Sequence, residues 1–364
     1  MKKSLIALAA VAASGAAFAQ SSVTVFGVVD NAVSYVNGQD NWSGLNSGGN
    51  QTSRLGFRGV EDLGGGLKAN FWLEAGILAD NGSGKSGYSA NEVANDGLAF
   101  KRRATVGLSG NFGEVRMGRE LTAAYNATSR YDVFGQVGFG ASKVWADAGV
   151  NGDSTTQRVS NMVTYLSPDF SGFRANVNYG FGEDKDAQTA KSSNSASSYM
   201  GAGLTYDNGP LSLGLGLERR NDGANTGVGA KAFDVNAWSL GGSYNFGVAK
   251  LAAAYRNSEA KYSIGGDKDK TKGYYVGVSA PVGAAGEVKA SYNRYEINEA
   301  GAAKQKADQF ALGYVHNMSK RTAVYGTYAY IKNKDGANVR LSSDVALKDG
   351  EKQHAVQVGI RHAF

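Results

Sequence analysis

The chain has 364 residues, with 51 Gly, 3 Pro, no Cys and a formal charge of +6; 42% of residues are hydrophobic and 19% charged. These proportions exclude bulk disorder, collagen-like and Pro-rich architectures, and the negative mean hydropathy excludes a bundle of membrane helices. Without Cys there is no disulfide scaffold or thiol nucleophile, and His316, His354 and His362 are too scattered for a zinc enzyme. At the start, Lys2 and Lys3 precede an apolar run, Leu5–Val11, that leads through small residues to Ala17-Phe18-Ala19. This layout predicts a secretory leader over 1–19, with Gln20 beginning a mature segment 20–364; the competing reading is a buried N-terminal helix. No later run reaches the roughly 18 apolar residues that a spanning helix needs.

From Val23 onward, segments of about ten residues alternate apolar and polar, which places one set of side chains on each face of a strand. Sixteen strands are expected, near 23–36, 51–62, 67–78, 99–110, 114–120, 157–167, 173–182, 198–207, 211–220, 233–246, 249–259, 273–280, 286–297, 306–316, 321–333 and 352–364. In 173–181, Phe173, Ala175, Val177, Tyr179 and Phe181 alternate with Arg174, Asn176, Asn178 and Gly180. In 67–75, Ala69, Phe71 and Leu73 oppose Lys68, Asn70 and Glu74, with Trp72 an exception in the polar phase. The strands at 233–246 and 321–333 show no clear phase. Short turns, which hold all three prolines, alternate with long polar loops, and the longest connection is 121–156.

An even strand count with short turns at one end and long loops at the other is the pattern of an outer-membrane β-barrel. Backbone groups in lipid must be paired within the protein, and a closed barrel achieves this. A soluble β-sandwich is the competitor, but the apolar face is too rich in Gly, Ala and aromatics, and the polar face carries long charged chains. The expected fold is therefore all-β: a transmembrane antiparallel up-and-down barrel of sixteen strands. Such a barrel is too wide for side chains to fill, so water is expected inside.

Thr24-Val25-Phe26-Gly27-Val28-Val29-Asp30 resembles the first strand of Gram-negative general porins. Ser53-Arg54-Leu55-Gly56-Phe57-Arg58-Gly59, followed by Glu61-Asp62-Leu63-Gly64-Gly65-Gly66-Leu67-Lys68, resembles their second strand and first turn. Val106-Gly107-Leu108, Gly118-Arg119, Arg158-Val159, Val163-Thr164-Tyr165 and the terminal Gly359-Ile360-Arg361-His362-Ala363-Phe364 extend the resemblance to the whole chain. It implies a homotrimer of sixteen-stranded barrels in outer-membrane lipid and lipopolysaccharide, with the third loop, 121–156, folded inward as a constriction. Phe364 resembles the signal read by the barrel-assembly machinery.

In that family the third loop presents acids to a ladder of arginines on the wall, and Arg54, Arg102 and Arg158 fall at positions resembling the ladder. Alternation puts Arg54 and Arg58 in lumen phase, along with Arg116 and Arg174, and puts Glu74 where it can neighbour the arginines. Of the adjacent Arg102 and Arg103, alternation allows only one to point inward; the resemblance favours Arg102, and the phase of 106–108 leaves the choice open. Asp132 sits where a family acid is expected, its alternative role being a loop-anchoring hydrogen bond. Asn126 stands where aspartate is common. Loop 121–156 holds Asp132, Asp147 and Asp153 against Arg130 and Lys143, so weak anion preference is expected. Tyr35, Phe112, Tyr165, Tyr179, Phe181, Tyr314 and Phe364 are expected at interface girdles, or alternatively in trimer contacts.

Gly82-Ser83-Gly84-Lys85-Ser86 imitates the end of a phosphate loop, but position 79 is Ala79 instead of Gly and no helical pattern follows. The basic residues are spread over many strands, so nucleic acid is not an expected partner. No catalytic constellation, cofactor or metal site is expected. The leading function is passive diffusion of ions and small hydrophilic solutes through a water-filled channel. The alternatives are a substrate-specific channel and an adhesin or phospholipase barrel.

Overall fold

Segments with one apolar and one polar face must cover the first and solvate the second, and this chain does so by closing a single sheet on itself. A computed structural model describes residues 22–85, 97–149, 157–182, 198–222, 233–262 and 267–364. The expected leader, 1–19, and positions 150–156 of the long loop lie outside these residues. Sixteen strands form the barrel: β1 (Ser22–Val36), β2 (Arg54–Gly64), β3 (Leu67–Ile77), β4 (Arg103–Gly110), β5 (Gly113–Leu121), β6 (Arg158–Leu166), β7 (Phe173–Gly180) and β8 (Tyr199–Asn208), then β9 (Leu211–Asp222), β10 (Phe233–Asn245), β11 (Lys250–Tyr262), β12 (Lys268–Val282), β13 (Gly286–Asn298), β14 (Gln305–Asn317), β15 (Thr322–Lys334) and β16 (Lys352–Ala363). Each pairs antiparallel with its neighbour in sequence, and β16 closes on β1 from Val28↔Ala363 to Val36↔Ala355. Phe364 adds two backbone hydrogen bonds to Gly27 at this seam, at 3.0 and 3.1 Å.

Two short pieces were not foreseen. Trp42–Ser47 pairs with the end of β1, Asn31–Val36, where β2 would otherwise lie. Gly84–Lys85 pairs with the end of β3. The first explains why β2 begins at Arg54 and not at 51: the chain between is tied to Asp30, a fully buried carboxylate. Asp30 accepts backbone N–H bonds from Gly49 (3.3 Å), Asn50 (3.0 Å) and Gln51 (2.6 Å), and the Tyr325 hydroxyl donates to it as well.

Outward side chains are large and apolar, and all seven expected girdle aromatics are exposed. Many inward side chains are polar or small, and large apolar ones such as Tyr275, Tyr295 and Ile331 belong to the buried cluster that forms where loops meet the inner wall. The helix α1 (Ala123–Thr128) rests on Gly203, Gly214 and Gly216, where any Cβ would overlap a helix carbonyl. A Cβ at Gly241 would overlap the Tyr131 ring. These glycines share the phase opposite the exposed Leu204, Leu213, Leu217 and Leu240. Residues 335–351 also turn apolar side chains inward: Val339, Leu341 and Val345 join Phe139, Trp145, Ile297 and Ile331 in one cluster.

This contact accounts for the two strands without a legible phase. In β15 the inward set includes Tyr325, Ala329 and Ile331 beside Thr327 and Asn333, because loop residues cover it; the outward set is Val324, Tyr328 and Lys332. In β10, Val235 and Ala237 face inward while Trp238 and Leu240 face outward. Both faces are apolar, so alternation of polarity fades although alternation of burial persists.

Candidate functional site

Cross-strand register sets the lumen face of β2–β5 in rows. Arg58 lies opposite Trp72, and Trp72 opposite Thr105; one step along, Gly56 lies opposite Glu74, and Glu74 opposite Arg103. Glu74 is the hub. The Arg102 Nε donates to its Oε1 at 2.6 Å, the Arg54 Nε lies 4.0 Å from the same oxygen, and the Trp72 indole N–H donates to Oε2 at 3.2 Å. Arg103 stacks on the Trp72 ring, 4.5 Å from its centroid, and reaches to 4.0 Å from Glu120. Arg116 bridges Glu114 (2.7 Å) and Glu120 (3.1 Å). Arg58 lies over the rings of Phe26 and Trp72 at 5.4 and 5.3 Å, and no carboxylate pairs with it among the described residues.

Arg54, Arg58, Glu74, Arg102 and Arg116 therefore gather on one wall, and Arg103 joins them. The expectation that only one of Arg102 and Arg103 could reach inward is corrected. Arg102 lies in the bend before β4, outside the alternation that governs Arg103, so both reach lumen-phase groups. Five arginines and three glutamates (Glu74, Glu114 and Glu120) leave this wall with excess positive charge.

Three candidates are placed elsewhere. Arg158 was expected in the ladder, but a bulge in β6, where Asn161 has φ 55°, shifts the phase. Arg158 pairs in register with Leu121, while Val159 pairs with Glu120, and the Arg158 Nε donates to the Arg102 carbonyl at 2.8 Å. It thus braces the bend that delivers Arg102. Arg174 sits at the short-turn end, paired with Asp169 at 2.7 Å and well exposed.

Asp132 is the third correction: only 5% exposed, it does not line the channel. It accepts backbone N–H bonds from Phe134 (3.0 Å), Gln136 (3.1 Å) and Ser142 (3.0 Å), and also a side-chain bond from Gln136. Burial pushes its carboxyl up from the ordinary value, with the hydrogen bonds opposing. Its role is to fold the loop on itself.

Two groups went unnoticed in the sequence. Arg256, 4% exposed on the inner face of β11, binds Asp147 in two-pronged fashion (2.7 and 3.2 Å) and Glu218 at 2.6 Å. An arginine among alanines and polar residues gives no local sign of a partner 109 positions away. Phe26 also faces inward, which the first strand's sequence gives no sign of, and Trp72, the exception to alternation, is the one visible sign of the ring cluster.

The loop carries little free negative charge. Asp132 and Asp147 are both buried and engaged, position 126 is an exposed amide, and Arg130 pairs with Asp207 at 2.9 Å. Asp153 lies outside the described residues. The loop is held along its length: Tyr131 hydroxyl to Ser212 (3.0 Å), Val133 N–H to the Tyr275 hydroxyl (2.8 Å), Ser142 hydroxyl to Asn293 (2.6 Å) and Lys143 N–H to the Tyr295 hydroxyl (2.8 Å).

A family model described as Gram-negative porin matches residues 5–336. The chain is 49% identical, over the full length of both, to outer membrane porin protein 32 of Delftia acidovorans, and 34% identical over full length to an outer membrane porin protein of Bordetella pertussis. Among solved structures it is similar to an anion-selective porin from Comamonas acidovorans (TM-score 0.81, 45% identity, 95% of this chain and 100% of that one). OmpT of Vibrio cholerae, in a trimer form, shares the fold at TM-score 0.72 and 16% identity, with 94% of this chain and 99% of that one covered.

Proposed function

This chain belongs to the Gram-negative porin family, and we propose that it forms a general diffusion channel of the outer membrane, with a preference for small anions. It is a channel and not an enzyme. The observation that carries the anion preference is the imbalance around the lumen: the wall of β2–β5 has more guanidiniums than carboxylates, while the loop's described acids are buried and used. Rings of Arg favour anions, and the similarity to an anion-selective porin supports the same reading.

The segment 121–156 narrows the lumen as a constriction. Its seating on the inner-wall glycines and its hydrogen bonds to β9, β12 and β13 support this. Arg54, Arg58, Arg102, Arg103, Arg116 and Glu74 shape conductance there, and Arg174 adds positive charge at the short-turn mouth. The functional unit is a homotrimer in outer-membrane lipid and lipopolysaccharide. Residues 1–19 are removed on export, and Phe364 is the assembly signal, a role supported by its place at the barrel seam. The exposed apolar outer face supports insertion in lipid.

The test is the zero-current potential across a planar bilayer that separates two potassium chloride concentrations. Chloride is expected to carry more current than potassium, increasingly so at low salt, where screening is weaker. A potential of the sign for potassium preference overturns the anion reading.

A further inference from the structure

One lumen-phase step from Glu74 toward the short-turn end, about 7 Å along the strand, and two steps from Arg54, the wall changes character. Phe26 and Trp72 meet edge to face with ring centroids 5.1 Å apart, both half-buried on the face that also carries Arg54, Arg58, Glu74 and Arg103. Gly56 makes room for them: a Cβ there would overlap the Phe26 ring, so this ring lies over a position without a side chain. Arg58, exposed and without a carboxylate partner among the described residues, lies over both rings, and Arg103 lies over Trp72. A bare ion path has no use for rings, since a wall carrying guanidiniums alone already attracts chloride. The guanidiniums cover the rings only in part: both remain half-exposed to the lumen, where apolar ring surface costs hydration free energy.

We propose that this ring-and-guanidinium step is a binding site for aromatic carboxylates in transit, an inference that rests on the channel reading above. The solute's carboxylate takes paired N–H bonds from the Arg58 guanidinium, the geometry in which arginine binds carboxylates best. Its ring packs offset or edge-on against Trp72 and Phe26, the arrangement aromatic pairs favour. Arg54 and Arg102, which engage Glu74 one step away, supply the field that draws the anion in. Aliphatic carboxylates satisfy only the Arg58 half of the site.

The experiment is single-channel current block by benzoate and by cyclohexanecarboxylate, which match in charge and nearly in size but differ in aromaticity. In the wild-type channel, benzoate is expected to block at concentrations about three- to tenfold lower, the ratio corresponding to one aromatic contact. Trp72→Leu is expected to bring the two acids within about twofold of each other. Equal block of the wild-type channel by the two acids overturns the proposal without any variant, and so does a benzoate advantage that survives Trp72→Leu. The zero-current potential on the same membranes reads the underlying assignment separately: potassium preference overturns the anion reading, whereas the benzoate ratio alone decides the stacking site.

Discussion

Replacing Arg256 with methionine is expected to lower the thermal unfolding midpoint of the detergent-solubilised protein by about 5 °C or more. Arg256 is the shared counter-ion of Asp147 and Glu218, whose side chains are 2% and 3% exposed. Removing one partner of a buried pair leaves uncompensated charge in a poorly hydrated place and costs about 3–5 kcal/mol. Here two carboxylates lose their shared counter-ion at once, Glu218 keeping the hydrogen bond from the Tyr199 hydroxyl. Asp147 lies in the 3₁₀ segment Val144–Gly149, so the same change cuts the loop from β11. Open-channel current noise should therefore rise together with the loss of stability. A triple variant, Arg256→Met with Asp147→Asn and Glu218→Gln, should recover much of the midpoint, because an uncharged trio has no orphaned ion. A single variant as stable as wild type would remove Arg256 from the account of how the loop is held.

The second large effect concerns selectivity. In Arg54→Glu/Arg102→Glu, the lumen wall passes from two more arginines than acids to two more acids than arginines, counting Arg54, Arg58, Arg102, Arg103 and Arg116 against Glu74, Glu114 and Glu120. The zero-current potential is expected to change sign, to potassium preference. Arg54→Lys/Arg102→Lys keeps the charge and should keep the sign, although lysine cannot reproduce the guanidinium's planar donor geometry toward Glu74. If the charge-reversed channel still prefers chloride, the selectivity lies outside this wall.

Much of the barrel is legible in the sequence because lipid and water act on alternate residues. Val163, Tyr165, Val177 and Tyr179 are outward and exposed, as alternation demands. The legible part ends where a third surface intervenes. Loop residues reach the lumen side of β10 at Ser239 and Gly241 and cover that of β15, so an inward Ile331 is apolar for a reason that lies elsewhere in the chain. Register is equally non-local: the extra residue at Asn161 moves Arg158 out of phase with Met162 and Thr164, and nothing in Arg158-Val159-Ser160-Asn161 announces a bulge. Arg102 escapes alternation because its strand begins one residue later. Asp132 looks like a channel acid until the loop closes around it and four N–H groups claim its oxygens. Trp72 is the opposite case, a residue that breaks its local pattern and thereby marks the ring cluster of the lumen wall.

The arginine wall acts on ions only if the interior is hollow and water-filled, and graded neutral polymers test this most directly. Single-channel conductance is recorded in polyethylene glycols of increasing size at fixed salt. Small polymers should enter and depress conductance in proportion to bulk conductivity, while those above a cutoff should leave it unchanged, with steps grouped as expected for three channels per insertion. Conductance indifferent to even the smallest polymers, or bilayers that stay silent, would contradict an open aqueous lumen.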